Sequence, residues 1–219
     1  MPIEPPAAVK PRLRGVVHHY AFFASLCAGG LLVVLAPTAH VRWPTGIYAL
    51  SLSGLLGVST LFHRVTWSVG ARRWMARLDH AMIGVLIAGT YTPFGALGGS
   101  TVTAAGLVPV VWLGALGSAA MHLLWIDAPK ALSAVSYVLL GWVGVVGFPD
   151  LVRSFGWAPP MLLILGGVAY SLGAVVYALK RPNPRPEVFG YHELFHVLVV
   201  VGAAFHYAAV AIAVVPHRG

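Results

Sequence analysis

Charged residues are scarce in this sequence. The 219 residues include 14 Lys and Arg and only 6 Asp and Glu, so charged types make up 9% of the chain, against roughly 25% in a soluble domain. By contrast, 58% of the residues are hydrophobic and the mean hydropathy is +0.82. This balance excludes a soluble globular domain and indicates an integral membrane protein.

Cysteine is almost absent. The single Cys27 lies within the first apolar run, so the chain cannot form an intramolecular disulfide or a thiolate metal cluster. Any metal site must therefore use His, Asp or Glu side chains. Internal repeats and low-complexity tracts are also lacking.

Apolar runs that could each form a spanning helix of roughly 20 residues recur along the whole chain. The sequence predicts an all-α, seven-helix transmembrane bundle with helices over about 16–36, 46–66, 79–98, 105–125, 132–148, 160–180 and 192–215. Proline and glycine residues mark the predicted connections, among them Pro44 and Pro149. Residues 1–15 are predicted to be a flexible basic arm, and residues 16–219 a single transmembrane domain.

The basic residues alternate between the two ends of this bundle. With the N-terminus inside, eleven Lys and Arg residues fall on the inner side and three on the outer side, as the positive-inside rule favours for a cytoplasmic N-terminus and an outer C-terminus. The net charge of +8 is scattered over short loops, which argues against a nucleic-acid partner. We expect a multi-pass protein of the cell (inner or plasma) membrane whose partners are membrane lipids.

Four ionisable residues should meet at one membrane level. His192 and His196 are one helical turn apart, at about 6 Å of axial rise on the same face. The topology places His63 near the inner end of the second helix and Asp79 at the start of the third. Three imidazoles and an adjacent carboxylate match a catalytic zinc site. Ser59 lies one turn from His63, where its hydroxyl could bond a substrate.

These residues also carry a family resemblance. Ser59-Thr60-Leu61-Phe62-His63 gives S-x3-H, Asp79 is followed by Gly89-Thr90-Tyr91-Thr92-Pro93, and His192 and His196 give H-x3-H. In this order the motifs resemble the haemolysin III proteins, the bacterial branch of the progestin and adipoQ receptor family, over essentially the whole chain.

The resemblance implies a seven-helix fold with an inside N-terminus. It implies a zinc ion held by His63, His192 and His196, with Asp79 contacting the zinc-bound water. It also implies kinship with alkaline ceramidases, and hence metal-assisted hydrolysis of a lipid amide. Cytolysis, which the haemolysin name records, is a phenotype rather than a reaction.

Simpler interpretations exist for each residue. The histidines could be satisfied by neighbouring polar groups inside the bundle. Asp79 could be an acid in the first turn of a helix, where the helix dipole favours it. Ser59 could serve a packing contact or bond its own backbone carbonyl.

The remaining histidines differ in their predicted depth in the membrane. His206 is ten residues beyond His196, about 15 Å deeper along the helix, so it cannot bind the same ion. His18, His19, His80 and His122 lie near the inner surface, where they could support the site but where interfacial snorkelling is the commoner role.

Several functions fit this pattern. The first is a zinc-dependent hydrolase of a lipid amide or ester, with Asp79 handling the water proton and Ser59 assisting the oxyanion. The second is a non-catalytic sensor or lipid-homeostasis protein with structural zinc. A third is a membrane protease, because His192-Glu193-Leu194-Phe195-His196 also reads HExxH, with Glu193 as general base. A channel is disfavoured because charged residues lie at one end of the bundle.

Overall fold

The computed structural model describes residues 10–98, 106–125 and 130–215. Within these ranges the chain forms eight α-helices, and a short 3₁₀ segment, Val143–Gly147, joins the fifth to the sixth. The helices are α1 (Val16–Leu35), α2 (Ala39–Arg64), α3 (Val69–Leu97), α4 (Val108–Leu124), α5 (Lys130–Trp142), α6 (Phe148–Phe155), α7 (Ala158–Leu179) and α8 (Tyr191–Val214).

Seven apolar spans result, because α5, the 3₁₀ segment and α6 together make one span, Leu132–Phe155. Six spans are long and apolar enough to cross a bilayer, and α4, with 17 residues, is a shorter apolar helix near the lower limit of about 17 residues for a spanning helix. The described residues therefore confirm the all-α, seven-span membrane fold. The direction of insertion remains a prediction.

Two helices begin earlier than the sequence predicted. α2 starts at Ala39 rather than 46 and contains Pro44, and α3 starts at Val69 rather than 79. Membrane helices tolerate an internal proline because neighbouring groups satisfy the freed backbone. The Ser68 hydroxyl caps α3 by accepting a hydrogen bond from the Ala71 N–H at 3.4 Å. Hydropathy marks only the apolar part of a helix, so the basic first turns of α3 were mistaken for a loop.

The fifth span was also predicted too short. Its helix was expected to stop at residue 148, with Pro149 in a connection, but Pro149 lies in the first turn of α6. Proline is favoured there because the first helical N–H groups have no intrahelical acceptor.

The helices pack into a tight half and a looser half. α1 with α2, α2 with α3, α3 with α4, and α7 with α8 pack along much of their lengths, whereas α5 touches α3, α4 and α7 more sparsely. The main apolar core lies between α1, α2, α3 and α8, around Tyr48, Leu56, Phe94 and Val210. Large apolar side chains such as Leu50, Leu113 and Leu124 point outward, as expected of a lipid-facing surface.

The predicted flexible arm is described only in part. Residues 1–9 lie outside the described ranges. Beyond them, the Arg12 N–H donates to the Glu187 carbonyl at 3.0 Å and the Leu13 N–H to the Val188 carbonyl at 3.1 Å. Residues 10–15 are thus tied to the connection between α7 and α8, at the end of the bundle where α8 begins.

Candidate metal centre

Three histidines converge where α2 ends and α8 begins. His63 is in the last turn of α2, and His192 and His196 are in the first two turns of α8. One ring nitrogen from each lies within 4.8 Å of the others, and the Nε2 atoms of His63 and His192 are 3.3 Å apart. His63 and His196 are 5% and 2% exposed. We refer to these three residues as the histidine triad.

The geometry of the triad suits a tetrahedral metal ion. Two imidazole nitrogens that bind one zinc at about 2.0–2.1 Å in tetrahedral geometry lie about 3.3 Å apart, which matches the separation of the His63 and His192 Nε2 atoms. Neutral imidazole is the nitrogen ligand that zinc prefers. The triad could therefore hold a metal ion after small rotations of its side chains.

Asp79 lies beside the triad. Its Oδ2 atom is 4.0 Å from His63 Nε2. Because α3 begins at Val69, Asp79 is in the third turn of that helix rather than the first. The interpretation of Asp79 as an acid attracted to a helix start is therefore wrong.

Ser59 bonds α1 and lies beside Asp79. The Ser59 Oγ atom is 2.9 Å from His18 Nδ1, and Ser59 and Asp79 line the same cavity. Its neighbour Thr60 behaves differently, because the Thr60 hydroxyl donates to the Leu56 carbonyl of its own helix at 2.7 Å. The Ser59 hydroxyl is thus bonded to His18 at the centre, whereas that of Thr60 is bonded to its own helix.

His18 is part of this centre, in agreement with the less common of its two predicted roles. Its ring stacks on that of His196, with centroids 3.9 Å apart and planes 4° from parallel, and His18 is only 3% exposed. Interfacial snorkelling is therefore the wrong interpretation of His18. The sequence placed His18 at the correct end of the bundle, but it did not reveal which face of α1 meets α8.

Both carboxylate oxygens of Glu193 have partners outside the triad. Glu193 is 1% exposed and forms an ion pair with Arg14, while its Oε2 accepts a hydrogen bond from the Gly190 N–H at 2.8 Å. It therefore caps α8 and anchors the segment before α1. An acid in the first turn of a helix was a usable sign of this capping role.

The segment before α1 covers the triad from outside the bundle. Gly15 has φ +76°, and a Cβ atom placed there would lie 2.7 Å from the His63 Cβ. The Lys10 ammonium donates to the His63 carbonyl. Burial, followed by the nearby positive charges of Arg72, Arg14 and Arg64, lowers the pKa of Lys10. Basic groups are therefore crowded around this end.

A second pair of histidines, His80 and His122, lies on α3 and α4. Their rings stack with centroids 5.4 Å apart, and Tyr137 approaches His122 Nε2 at 3.2 Å. We refer to His80 and His122 as the α3–α4 pair. Because His122 is 6% exposed, snorkelling is the wrong interpretation for it as well.

His206 is remote from the triad, as its depth predicted. Its Nε2 atom is 3.1 Å from the Leu163 carbonyl oxygen on α7, and the ring meets Tyr170 edge-on at 5.1 Å. His206 is thus a polar contact between α7 and α8, deep in the bundle.

A cavity of about 880 Å³ connects these features. The histidine triad, Asp79, Ser59 and the α3–α4 pair line one end, and His206 lines the other. Between them the wall is mainly apolar, with Leu86, Val138 and Val199 among its residues. The centre is therefore the polar end of a long apolar chamber inside the bundle.

Comparison with known proteins settles the family. The model of the family described as "Haemolysin-III related" matches residues 7–207. The chain belongs to the haemolysin III-related family. It is 30% identical over 194 residues to the "Hemolysin-3 homolog" of Bacillus subtilis (strain 168), covering 86% of this chain and 87% of that protein. It is 28% identical over 210 residues to "Hemolysin-3" of Bacillus cereus, covering 92% and 90%.

The relatives extend beyond the bacterial haemolysin III proteins. The chain is 31% identical over 185 residues to the "Heptahelical transmembrane protein ADIPOR2" of Oryza sativa subsp. japonica, covering 77% of this chain and 81% of that protein. The predicted membership of the haemolysin III branch of the progestin and adipoQ receptor family is confirmed. The match also fits the seven spans of this haemolysin III-related chain.

Proposed function

We propose that this haemolysin III-related protein is a zinc-dependent hydrolase that cleaves an amide or ester bond of a membrane lipid. The main support is one spatial relation: a triad of imidazoles and a carboxylate lie together at the polar end of an apolar cavity of about 880 Å³. That volume is within the range of about 300–1,000 Å³ typical of ligand pockets.

His63, His192 and His196 would hold the zinc ion. Three protein ligands leave a fourth position for water or substrate, which is the usual arrangement in catalytic sites. When bound, zinc polarises a carbonyl and lowers the pKa of water toward about 7.

Asp79 is the proposed proton acceptor. Its carboxylate is 4.0 Å from His63 Nε2, close enough to hold a water against the centre and to take its proton as the water attacks. The proton can then pass from Asp79 to the leaving amine or alkoxide, which balances the hydrolysis.

Ser59 and His18 would position Asp79. The His18 ring is fixed by its stack on His196, and its Nδ1 atom is 2.9 Å from the Ser59 Oγ. Ser59 in turn lines the cavity together with Asp79, where its hydroxyl would orient the carboxyl. The serine hydroxyl also lines the cavity, where it could donate a hydrogen bond to the oxyanion that develops on the substrate carbonyl.

The apolar part of the cavity supports a lipid substrate. An acyl chain would lie along Leu86, Val138 and Val199, so that its carbonyl carbon reaches the polar end. Membrane lipids are therefore the proposed partners, and the substrate would enter from the bilayer.

The protease alternative has weaker support. That mechanism needs the Glu193 carboxylate beside the triad to activate water. Instead, Arg14 and the Gly190 N–H bind both carboxylate oxygens.

The test is a turnover assay on purified zinc-loaded protein with ceramide-like amides and acyl esters in mixed micelles. Wild type should release fatty acid, and Asp79→Asn should keep its zinc but lose at least about 100-fold in rate, the size of a general-base contribution. His206→Gln is the matched control, because it changes a polar residue at the far end of the same cavity and should keep most of the rate. Zinc-loaded wild type with no turnover would instead favour the non-catalytic sensor.

A further inference from the structure

Several basic side chains line the cavity or lie close to its mouth. Arg14, Arg72 and Arg77 line the cavity together with His63 and Asp79. Lys10 is close enough to Arg72, Arg14 and Arg64 for their charges to repel its own. Lys10, Arg14 and Arg72 thus lie near one another, and Arg77 lines the same cavity as Arg14 and Arg72.

Most of these charges lack a carboxylate partner. Arg14 pairs with Glu193, but among the described residues no Asp or Glu lies within 4.0 Å of the charged groups of Lys10, Arg72 or Arg77. The Arg77 Nε atom is buried and has no hydrogen-bond acceptor in this part of the chain. A buried donor without an acceptor is costly, so an anion from outside the described chain would stabilise this region.

The guanidinium groups of Arg72 and Arg77 each stack on an aromatic ring. The Arg72 guanidinium lies over the Phe62 ring at 5.1 Å, and the Arg77 guanidinium lies over the Trp74 ring at 4.5 Å. Stacking on an aromatic face fixes the plane of a guanidinium and leaves its N–H edge for hydrogen bonds in that plane. Such an edge matches the oxygens of a phosphate or carboxylate.

We infer that Lys10, Arg72 and Arg77 bind a phosphate group at the mouth of the cavity, supplied by an anionic lipid whose acyl chain enters the apolar chamber. Three positive groups that have no carboxylate partner among the described residues match a phosphate better than a single carboxylate charge, since a phosphomonoester carries close to two negative charges at neutral pH. Arg72 and Arg77 line the same cavity as many apolar side chains, which favours a lipid over a free ion. The site does not depend on whether the metal centre is catalytic.

Native mass spectrometry of the purified, metal-loaded full chain from a neutral detergent would test this site. The probes are dodecyl phosphate, inorganic phosphate, lauric acid and the neutral lipid monolaurin. We expect one dodecyl phosphate per chain, with affinity that falls as salt rises and exceeds that for lauric acid or monolaurin. No saturable dodecyl phosphate binding, or equal affinity for monolaurin, would overturn the inference.

Variants locate the phosphate. Arg72→Gln with Arg77→Gln should weaken dodecyl phosphate binding by at least about tenfold, because two charge-assisted hydrogen bonds are lost. The matched control is Arg181→Gln with Arg185→Gln, which removes the same charge from exposed positions at the same end of the bundle and should change binding less than about twofold. Arg77→Lys, which keeps the charge but not the planar edge, should fall between the two.

The outcomes separate the possible sources. Binding unaffected by the Arg72 and Arg77 substitutions would place the phosphate elsewhere, for example at the metal, and would overturn the site. Equal weakening by the Arg181 and Arg185 substitutions would reduce it to a general basic surface and also overturn it. Inorganic phosphate that binds as tightly as dodecyl phosphate, with the same dependence on Arg72 and Arg77, would support the site and assign it to the free ion.

Discussion

The histidine triad and the α3–α4 pair line the same cavity, but they direct their ring nitrogens differently. In the α3–α4 pair, His80 Nδ1 is 2.7 Å from the Ala76 carbonyl and His122 Nδ1 is 2.8 Å from the Ser118 carbonyl, each on the histidine's own helix. His122 Nε2 is 3.0 Å from the Ser133 hydroxyl. In the triad, one nitrogen from each ring faces the other two.

The position of each histidine in its helix explains part of this difference. His80 and His122 both follow a full helical turn, so the carbonyl four residues earlier is in place to accept their Nδ1–H. His192 is the second residue of α8, and the carbonyl four residues before it, that of Val188, accepts the Leu13 N–H instead. Burial and proximity of histidines are therefore insufficient to predict a metal site; the direction of the nitrogens decides.

The largest expected effect is on zinc content, which should fall in variants of the histidine triad but not in a variant of the α3–α4 pair. His63→Ala, His192→Ala and His196→Ala should each weaken zinc binding by more than about 100-fold, since even loss of a group that merely supports a ligand costs about 10–100-fold. His122→Ala removes an equally buried imidazole and should leave zinc bound. Atomic emission on the purified variants measures both. Zinc retained by all three triad variants, or lost from His122→Ala, would contradict the assignment of the metal to the triad.

The next effect concerns the ion pair that anchors α8 beneath the triad. Glu193→Gln leaves Arg14 without its buried partner and should lower the free energy of unfolding by about 3 kcal/mol, near the low end for a broken buried pair because Arg14 is partly exposed. The glutamine oxygen can still accept from the Gly190 N–H. Thermal and denaturant unfolding in detergent measure the change.

Arg153→Gln is the control for that measurement. Arg153 is 80% exposed and lies 3.6 Å from Asp150, so its loss should cost under about 1 kcal/mol. If Glu193→Gln lowered the free energy of unfolding no more than Arg153→Gln does, the Arg14–Glu193 pair would not be anchoring α8.

A smaller effect is expected at Gly15. Gly15→Ala forces a side chain into the left-handed region at φ +76° and places its Cβ 2.7 Å from that of His63. The strain should cost about 1–3 kcal/mol and weaken zinc binding by displacing His63. In Gly30→Ala the new Cβ meets nothing within 4 Å, so stability should hold or rise and zinc binding should not change. Equal zinc affinity in the two variants would mean that the segment before α1 does not position the triad.

Cysteine labelling shows which compartment both histidine groups face, and we expect it to leave stability unchanged. In a Cys27→Ala background, Pro184→Cys, on the exposed α7–α8 connection, should react only with reagent on the cytoplasmic side. Trp157→Cys, exposed at the other end of the bundle, should react only from outside. The reverse pattern would place the centre, and the route of a lipid to it, on the outer side.

The sequence was sufficient to predict that the triad forms, since two histidines at i and i+4 share a helix face and alternating helix directions bring His63 to the same end. It was insufficient for His18 and Glu193. Their roles depend on how α1 rotates against α8 and on residues 10–15 folding back onto the α7–α8 connection. Neither arrangement leaves a periodic pattern in the sequence.

The ends of the helices could likewise be predicted only in part from the sequence. The spans were predicted from hydropathy, which worked for α1, α7 and α8, but α3 extends ten residues beyond its predicted start. That extension matters for function, because it carries Arg72 and Arg77 to the cavity mouth and moves Asp79 away from the helix terminus. Ser68, a favoured N-cap residue, was the available sign of the true start.

X-ray absorption at the zinc edge of the purified protein measures directly which atoms bind the metal. We predict one zinc per chain, bound by three imidazole nitrogens at about 2.0–2.1 Å and one further light atom, and loss of one imidazole contribution or of the zinc itself in His196→Ala. A spectrum with no imidazole ligands, or a wild-type protein that binds no zinc, would contradict the assignment of the triad as a metal centre.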